Sequence, residues 1–132
     1  MCWPVLSVVF SPDGRYLISG SAGSGWDDTL KTLKIWDITT GREIKAFGNW
    51  SSVNSLAITP DGRYVISNSI GNTCKLWDVT SGREVRTFEG HSRAINAVAI
   101  SSDGRFAVSG TVYLLIRCWK DLAARRQARA RR

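Results

Sequence analysis

Ser11-Pro12-Asp13-Gly14-Arg15-Tyr16 returns as Thr59-Pro60-Asp61-Gly62-Arg63-Tyr64 and, more loosely, as Ser101-Ser102-Asp103-Gly104-Arg105-Phe106. A second motif keeps step with the first. Leu33-Lys34-Ile35-Trp36-Asp37 returns as Cys74-Lys75-Leu76-Trp77-Asp78, then as Ile116-Arg117-Cys118-Trp119-Lys120. Trp36 precedes Trp77 by 41 residues, and Trp77 precedes Trp119 by 42. Two motifs recurring in the same order, with the tryptophan at a nearly constant period, mean one supersecondary unit built three times, since each copy offers the same turns and the same apolar positions.

Each unit reads as strands. Short stretches rich in β-branched residues flank every Asp-Gly: Val5 to Phe10, Val53 to Ile58 and Ile95 to Ile100 before it, and Tyr16 to Ser19, Tyr64 to Ser67 and Phe106 to Ser109 after it. Their length and composition favour strand over helix. Between them, Pro sets φ for the first turn position, Asp bonds locally and Gly supplies a positive φ. The Trp-bearing strand is third. The turns Thr39-Thr40-Gly41-Arg42 and Thr80-Ser81-Gly82-Arg83 then lead to a fourth, Glu43 to Phe47 and Glu84 to Phe88. Four short antiparallel strands in about 42 residues make one propeller blade.

The copies resemble WD-repeat β-propellers, and are similar to short bacterial-type members with near-identical tandem blades. The fold this implies is all-β: a partial propeller of about three four-stranded antiparallel blades, not closed within one chain. Blade one covers about 5–47, blade two about 53–88 and blade three about 95–119, within a segment 1–120. After Trp119 the repeat decays: Lys120 replaces Asp, Ala123-Ala124 replace Ser-Gly, and no apolar alternation follows. The third blade is therefore expected to lack its outer strand, and Met1 to Pro4 is too short to supply it. The resemblance gives structural roles to Asp13, Gly14, Trp36 and Asp37, to Asp61, Gly62, Trp77 and Asp78, and to Asp103, Gly104, Ser109 and Trp119. It gives His91 one as well, in a buried network of His, Ser or Thr, Asp and Trp. That network is incomplete here. The Asp position six residues before each Trp holds Leu30, Gly71 and Tyr113, so the blades are expected to be looser than usual for the family.

Composition bounds the function. The chain has 132 residues, 43% of them hydrophobic and 22% charged, as in ordinary globular domains. No apolar run reaches the ~18 residues of a membrane helix. Three cysteines without a CxxC pair, and no secretory signal, point to reduced thiols and a cytoplasmic location. One histidine and no Ser-His-Asp, HExxH or Walker pattern argue against an enzyme, and no metal or cofactor is expected. Gly20 and Gly25 have P-loop spacing, but Trp26-Asp27 follows where Lys and Ser or Thr are required.

Partner contact is the remaining class. Repeat one is seven residues longer than its sisters between Asp-Gly and Trp. That insertion offers Trp26 as an aromatic anchor beside Asp27 and Asp28. The resemblance places it on a face that commonly binds proteins, to which Asn54, Arg93 and Asn96 are also assigned. The leading expectation is a non-catalytic scaffold for protein–protein contacts, with self-association or completion by further blades. Net charge is +7, and residues 121–132 hold five arginines, Arg125, Arg126, Arg129, Arg131 and Arg132, against one acid, Asp121. This tail reads as disordered or weakly helical. It raises a second expectation, contact with nucleic acid or an anionic surface. A third is a truncated remnant of a larger WD-repeat protein.

Overall fold

A computed structural model describes residues 4–23, 31–48, 52–69, 72–89, 94–111 and 116–120. Among them are eleven strands and no helix. The first sheet takes β1 (Val5–Phe10), β2 (Tyr16–Ser21), β3 (Leu33–Asp37) and β4 (Glu43–Phe47) in chain order. The second takes β5 (Leu56–Ile58), β6 (Tyr64–Ser69), β7 (Thr73–Asp78) and β8 (Glu84–Phe88). The third has three strands, β9 (Ile95–Ile100), β10 (Phe106–Thr111) and β11 (Ile116–Lys120). All neighbours pair antiparallel. The result is three propeller blades in an unclosed stack, the last without an outer strand among the described residues.

The turns repeat to within a few tenths of an ångström. Gly14, Gly62 and Gly104 each donate N–H to the Ser or Thr carbonyl three residues back at 2.9 Å. Their φ values are +75°, +74° and +76°, which only glycine adopts without strain. The third turn forms with Ser102 in place of proline, so proline favours this geometry without being required for it. Gly41 and Gly82 close the second kind of turn at φ +73° and +74°. In both places a register shift falls just before the tryptophan, between Ile35 and Trp36 and between Leu76 and Trp77. Such bulges re-aim a side chain.

Strand limits depart from the sequence pattern at two positions. The strands after Asp-Gly run two residues further than expected, to Ser21, Ser69 and Thr111. The strand expected from Val53 begins only at Leu56. Asn68 explains the late start, because its side-chain Oδ1 accepts the N–H of Asn54 at 2.9 Å and of Ser55 at 3.1 Å. A side-chain amide thus replaces the ladder there.

Packing follows the alternation of each strand. Every blade has a front face toward the next blade and a back face toward the preceding one. Ile18, Leu33, Ile35 and Phe47 of blade one meet Val53, Leu56, Val65 and Trp77 of blade two. The same positions recur one blade on: Ile66, Cys74, Leu76 and Phe88 meet Ile95, Ala107 and Trp119. Core clusters therefore lie between blades, not within them.

Candidate functional site

Each tryptophan is tied inside its own blade. Trp36, Trp77 and Trp119 donate indole N–H to Ser19, Ser67 and Ser109 Oγ at 2.9, 2.9 and 2.8 Å. The aspartates lock turns. Asp13 Oδ1 accepts from Ser11 Oγ at 2.6 Å and Arg15 N–H at 3.0 Å, and Asp61 and Asp103 repeat both bonds with Thr59 and Arg63 and with Ser101 and Arg105. These bonds, the hydroxyl's first, hold all three carboxyls below their ordinary range. Asp37 and Asp78 accept two backbone N–H groups each in the second kind of turn.

Two groups missed in the sequence join one blade to the next. Ser55 Oγ accepts the N–H of Val98 at 3.0 Å, bridging blades two and three. Lys45 Nζ donates to the Thr80 carbonyl at 2.7 Å, bridging blades one and two. Asn68 is the third omission. It stands where the other copies have Gly20 and Gly110, and that mismatch in one column was the available signal.

Equivalent positions measure what a neighbouring blade covers. Val5 is 59% exposed and Val8 51%, whereas Val53 and Leu56 at the same repeat positions are 2% and 7% exposed. Phe10 and Ile38 are exposed beside them. The glycines agree. A Cβ on Gly62 would lie 3.2 Å from Pro12 of the preceding blade and one on Gly104 3.0 Å from Pro60, while Gly14 has nothing within 4 Å. Among the described residues, the back of blade one carries blade-interface positions that no neighbouring blade covers. At the other end, Val108 on the front of blade three is 39% exposed where Ile18 is 1%. An exposed apolar patch of this kind, written in interface residues, is the strongest candidate for a binding surface in the described residues.

Of the residues expected to meet partners, Asn54 and Asn96 are exposed. They stand at one repeat position, at the inner edges of blades two and three. Trp26, Asp27, Asp28, Arg93, His91 and the arginines of 121–132 lie outside the described residues. Among the described residues no group of three His, Cys, Asp or Glu is placed to hold a metal, and no helix is long and apolar enough to cross a membrane. Cys74 is a buried free thiol, and burial pushes it up to about 11, far from a nucleophile's range.

The family model for the WD domain, G-beta repeat, matches residues 2–37, 41–78 and 82–120. Among solved structures, the chain is similar to the one titled "Crystal structure of RRP9 WD40 repeats", with a TM-score of 0.78 and 21% identity over 91% of this chain and 36% of that one. It is also similar to "Structure of U3-55K", with a TM-score of 0.79 and 20% identity over 91% of this chain and 37% of that one. The chain thus spans little more than a third of the length of these structures. No curated protein matches it.

Proposed function

The chain belongs to the WD40-repeat family, and from that premise we propose that it is a non-catalytic scaffold acting through protein–protein contacts, with the back of blade one as its docking surface. The observation that carries this is the exposure of Val5, Val8 and Phe10 at positions that blade two buries in Val53 and Leu56 and partly buries in Ile58. The occupant we assign is the front of blade three of a second copy, where Val108 is exposed in the matching way. Head-to-tail contact of this kind is heterologous and can close into a ring. We place the module in the cytoplasm, a reading that rests on three cysteines without a CxxC pair.

Light scattering across a concentration series tests the reading. The wild-type chain should gain mass with concentration. Phe10→Asp should stay monomeric with a stability change within about 0.5 kcal/mol, because Phe10 is exposed within the chain. Ile44→Asp is the control. Ile44 and Val85 share a rim position that stays exposed even beside a neighbouring blade, so this change should leave association intact. A wild-type chain that remains monomeric at high concentration would refute the docking assignment.

A further inference from the structure

Blade three offers a second feature, the outer edge of its sheet. Among the described residues β11 pairs only with β10. The corresponding side of β3 is taken by β4, and that of β7 by β8. Where a fourth strand of blade three would cover blade two, a groove of about 590 Å³ follows β8 past Trp119, bounded by Glu84, Arg86, Phe88 and Glu89.

The chain itself shows what such a slot accepts. β4 reads Glu-Ile-Lys-Ala-Phe and β8 reads Glu-Val-Arg-Thr-Phe. In each, the leading glutamate reaches a lysine of the neighbouring strand: Lys34 Nζ to Glu43 at 3.2 Å and Lys75 Nζ to Glu84 at 2.9 Å. Arg117 stands at that lysine position in the third copy, so the cation that meets the glutamate is present in the sequence. Residues 121–132 are the wrong complement. Counted from the tryptophan as in the first two copies, Arg126 falls where Glu43 and Glu84 stand, and Ala130 where Phe47 and Phe88 stand. An arginine facing Arg117 sets like charges against each other.

We propose that the edge of β11 opposite β10 is a strand-addition site for an extended protein segment of pattern Glu-(Ile/Val)-(Lys/Arg)-x-Phe, running antiparallel to it. Main-chain bonds supply affinity and the glutamate fixes register. The backbone specifies which amides matter. Asp78 N–H points outward to the Arg83 carbonyl, and alternation turns the amides of Leu76 and Cys74 the same way, toward Arg86 and Phe88. By repeat, the amides of Ile116, Cys118 and Lys120 face the side opposite β10.

The test uses the full chain and a labelled synthetic peptide with the sequence of residues 80–89. Anisotropy should show saturable binding, and hydrogen exchange should slow at residues 116–120. N-methylation at the peptide's Arg86 position blocks the shared bonds and should weaken binding by about tenfold or more. N-methylation at its Thr87 position, which lies opposite Lys75 between two bonded pairs in β8, faces away from β11 and should change binding by less than about twofold. Replacing the peptide's glutamate with lysine should weaken binding as well. Absence of saturable binding, equal loss from both N-methyl peptides, or protection outside 116–120 would overturn the proposal. So would a peptide that binds only after the chain is cut following Lys120, which would assign the slot to residues 121–132. The peptide's phenylalanine would join the front of blade three, as Phe47 and Phe88 do in blades one and two, so the assay is repeated on the Phe10→Asp chain, where strand addition is read without ring association.

Discussion

Trp36 and Trp77 are one repeat position in two surroundings, and replacing each by alanine isolates the value of a neighbouring blade. Both donate to a serine at 2.9 Å. Both have a lysine over the ring, at 5.9 and 6.0 Å. They differ in the back face: Phe47 of blade one meets Trp77 edge-on at 5.8 Å and 66°, and among the described residues no blade covers the back of Trp36's sheet. A tryptophan buries 150–250 Å², of which the back face is roughly 100 Å². At about 25 cal/mol per Å² that face is worth about 2.5 kcal/mol. Trp77→Ala should therefore cost about 3–5 kcal/mol and Trp36→Ala about 0.5–2.5. Urea unfolding of the dilute chain, with unchanged m-values, measures both. Equal losses would refute the claim that the back of blade one is uncovered. If chains associate through that face, the Trp36 loss should rise with protein concentration while the Trp77 loss stays constant.

Asn68→Ala removes the acceptor for the Asn54 and Ser55 amides, and should cost about 1–3 kcal/mol in the same assay. The depressed carboxyl of Asp61, held down first by the Thr59 hydroxyl, contributes stability that is present above its ordinary pKa of 3.8 and lost as pH falls toward its lower folded value. Asp61→Asn should accordingly flatten the acid limb of a stability–pH profile. Cys74, buried with its thiol pushed up to about 11, should resist a thiol reagent at neutral pH until the chain unfolds, so its labelling rate should track denaturant.

The blades were legible because period and turn chemistry point the same way in every copy. Asp-Gly with a preceding hydroxyl residue forms one turn whether or not proline is present, and the tryptophan column set the third strand. The open face was harder to see for a physical reason. Val5, Val8 and Phe10 are written in the same alphabet as Val53, Leu56 and Ile58, since a repeat encodes its interface whether or not a neighbour arrives to fill it. Exposure is then a property of the stack and not of the residue. Asn68 escaped for the opposite reason: it breaks the column held by Gly20 and Gly110, and its role depends on backbone amides that no side-chain pattern reveals. Ser55 and Lys45 act across blades, with carbonyl and amide partners that leave no mark in the sequence.

The two blade interfaces use the same columns but are not equally strong. On the front of blade two, Ala57 replaces Val9 and Cys74 replaces Leu33; on the back of blade three, Ala107 replaces Val65. These changes remove several buried carbon groups at ~0.8 kcal/mol each, so the second interface is weaker by about 4 kcal/mol before compensation by Ile95 for Val53. Stacked repeats behave as units coupled only to their neighbours, so the weaker coupling sets where the stack opens. Blade three has that coupling on one side, and in the described residues it lacks the outer strand that supplies Phe47 and Phe88 to blades one and two. Its strands should open as a unit while blades one and two stay paired. Hydrogen exchange should release β9 and β10 before β6 and β7, and Ala107→Val, which restores the residue of blade two, should narrow the gap. Blade one exchanging first would place the weak coupling at the other end and defeat this account of the stack.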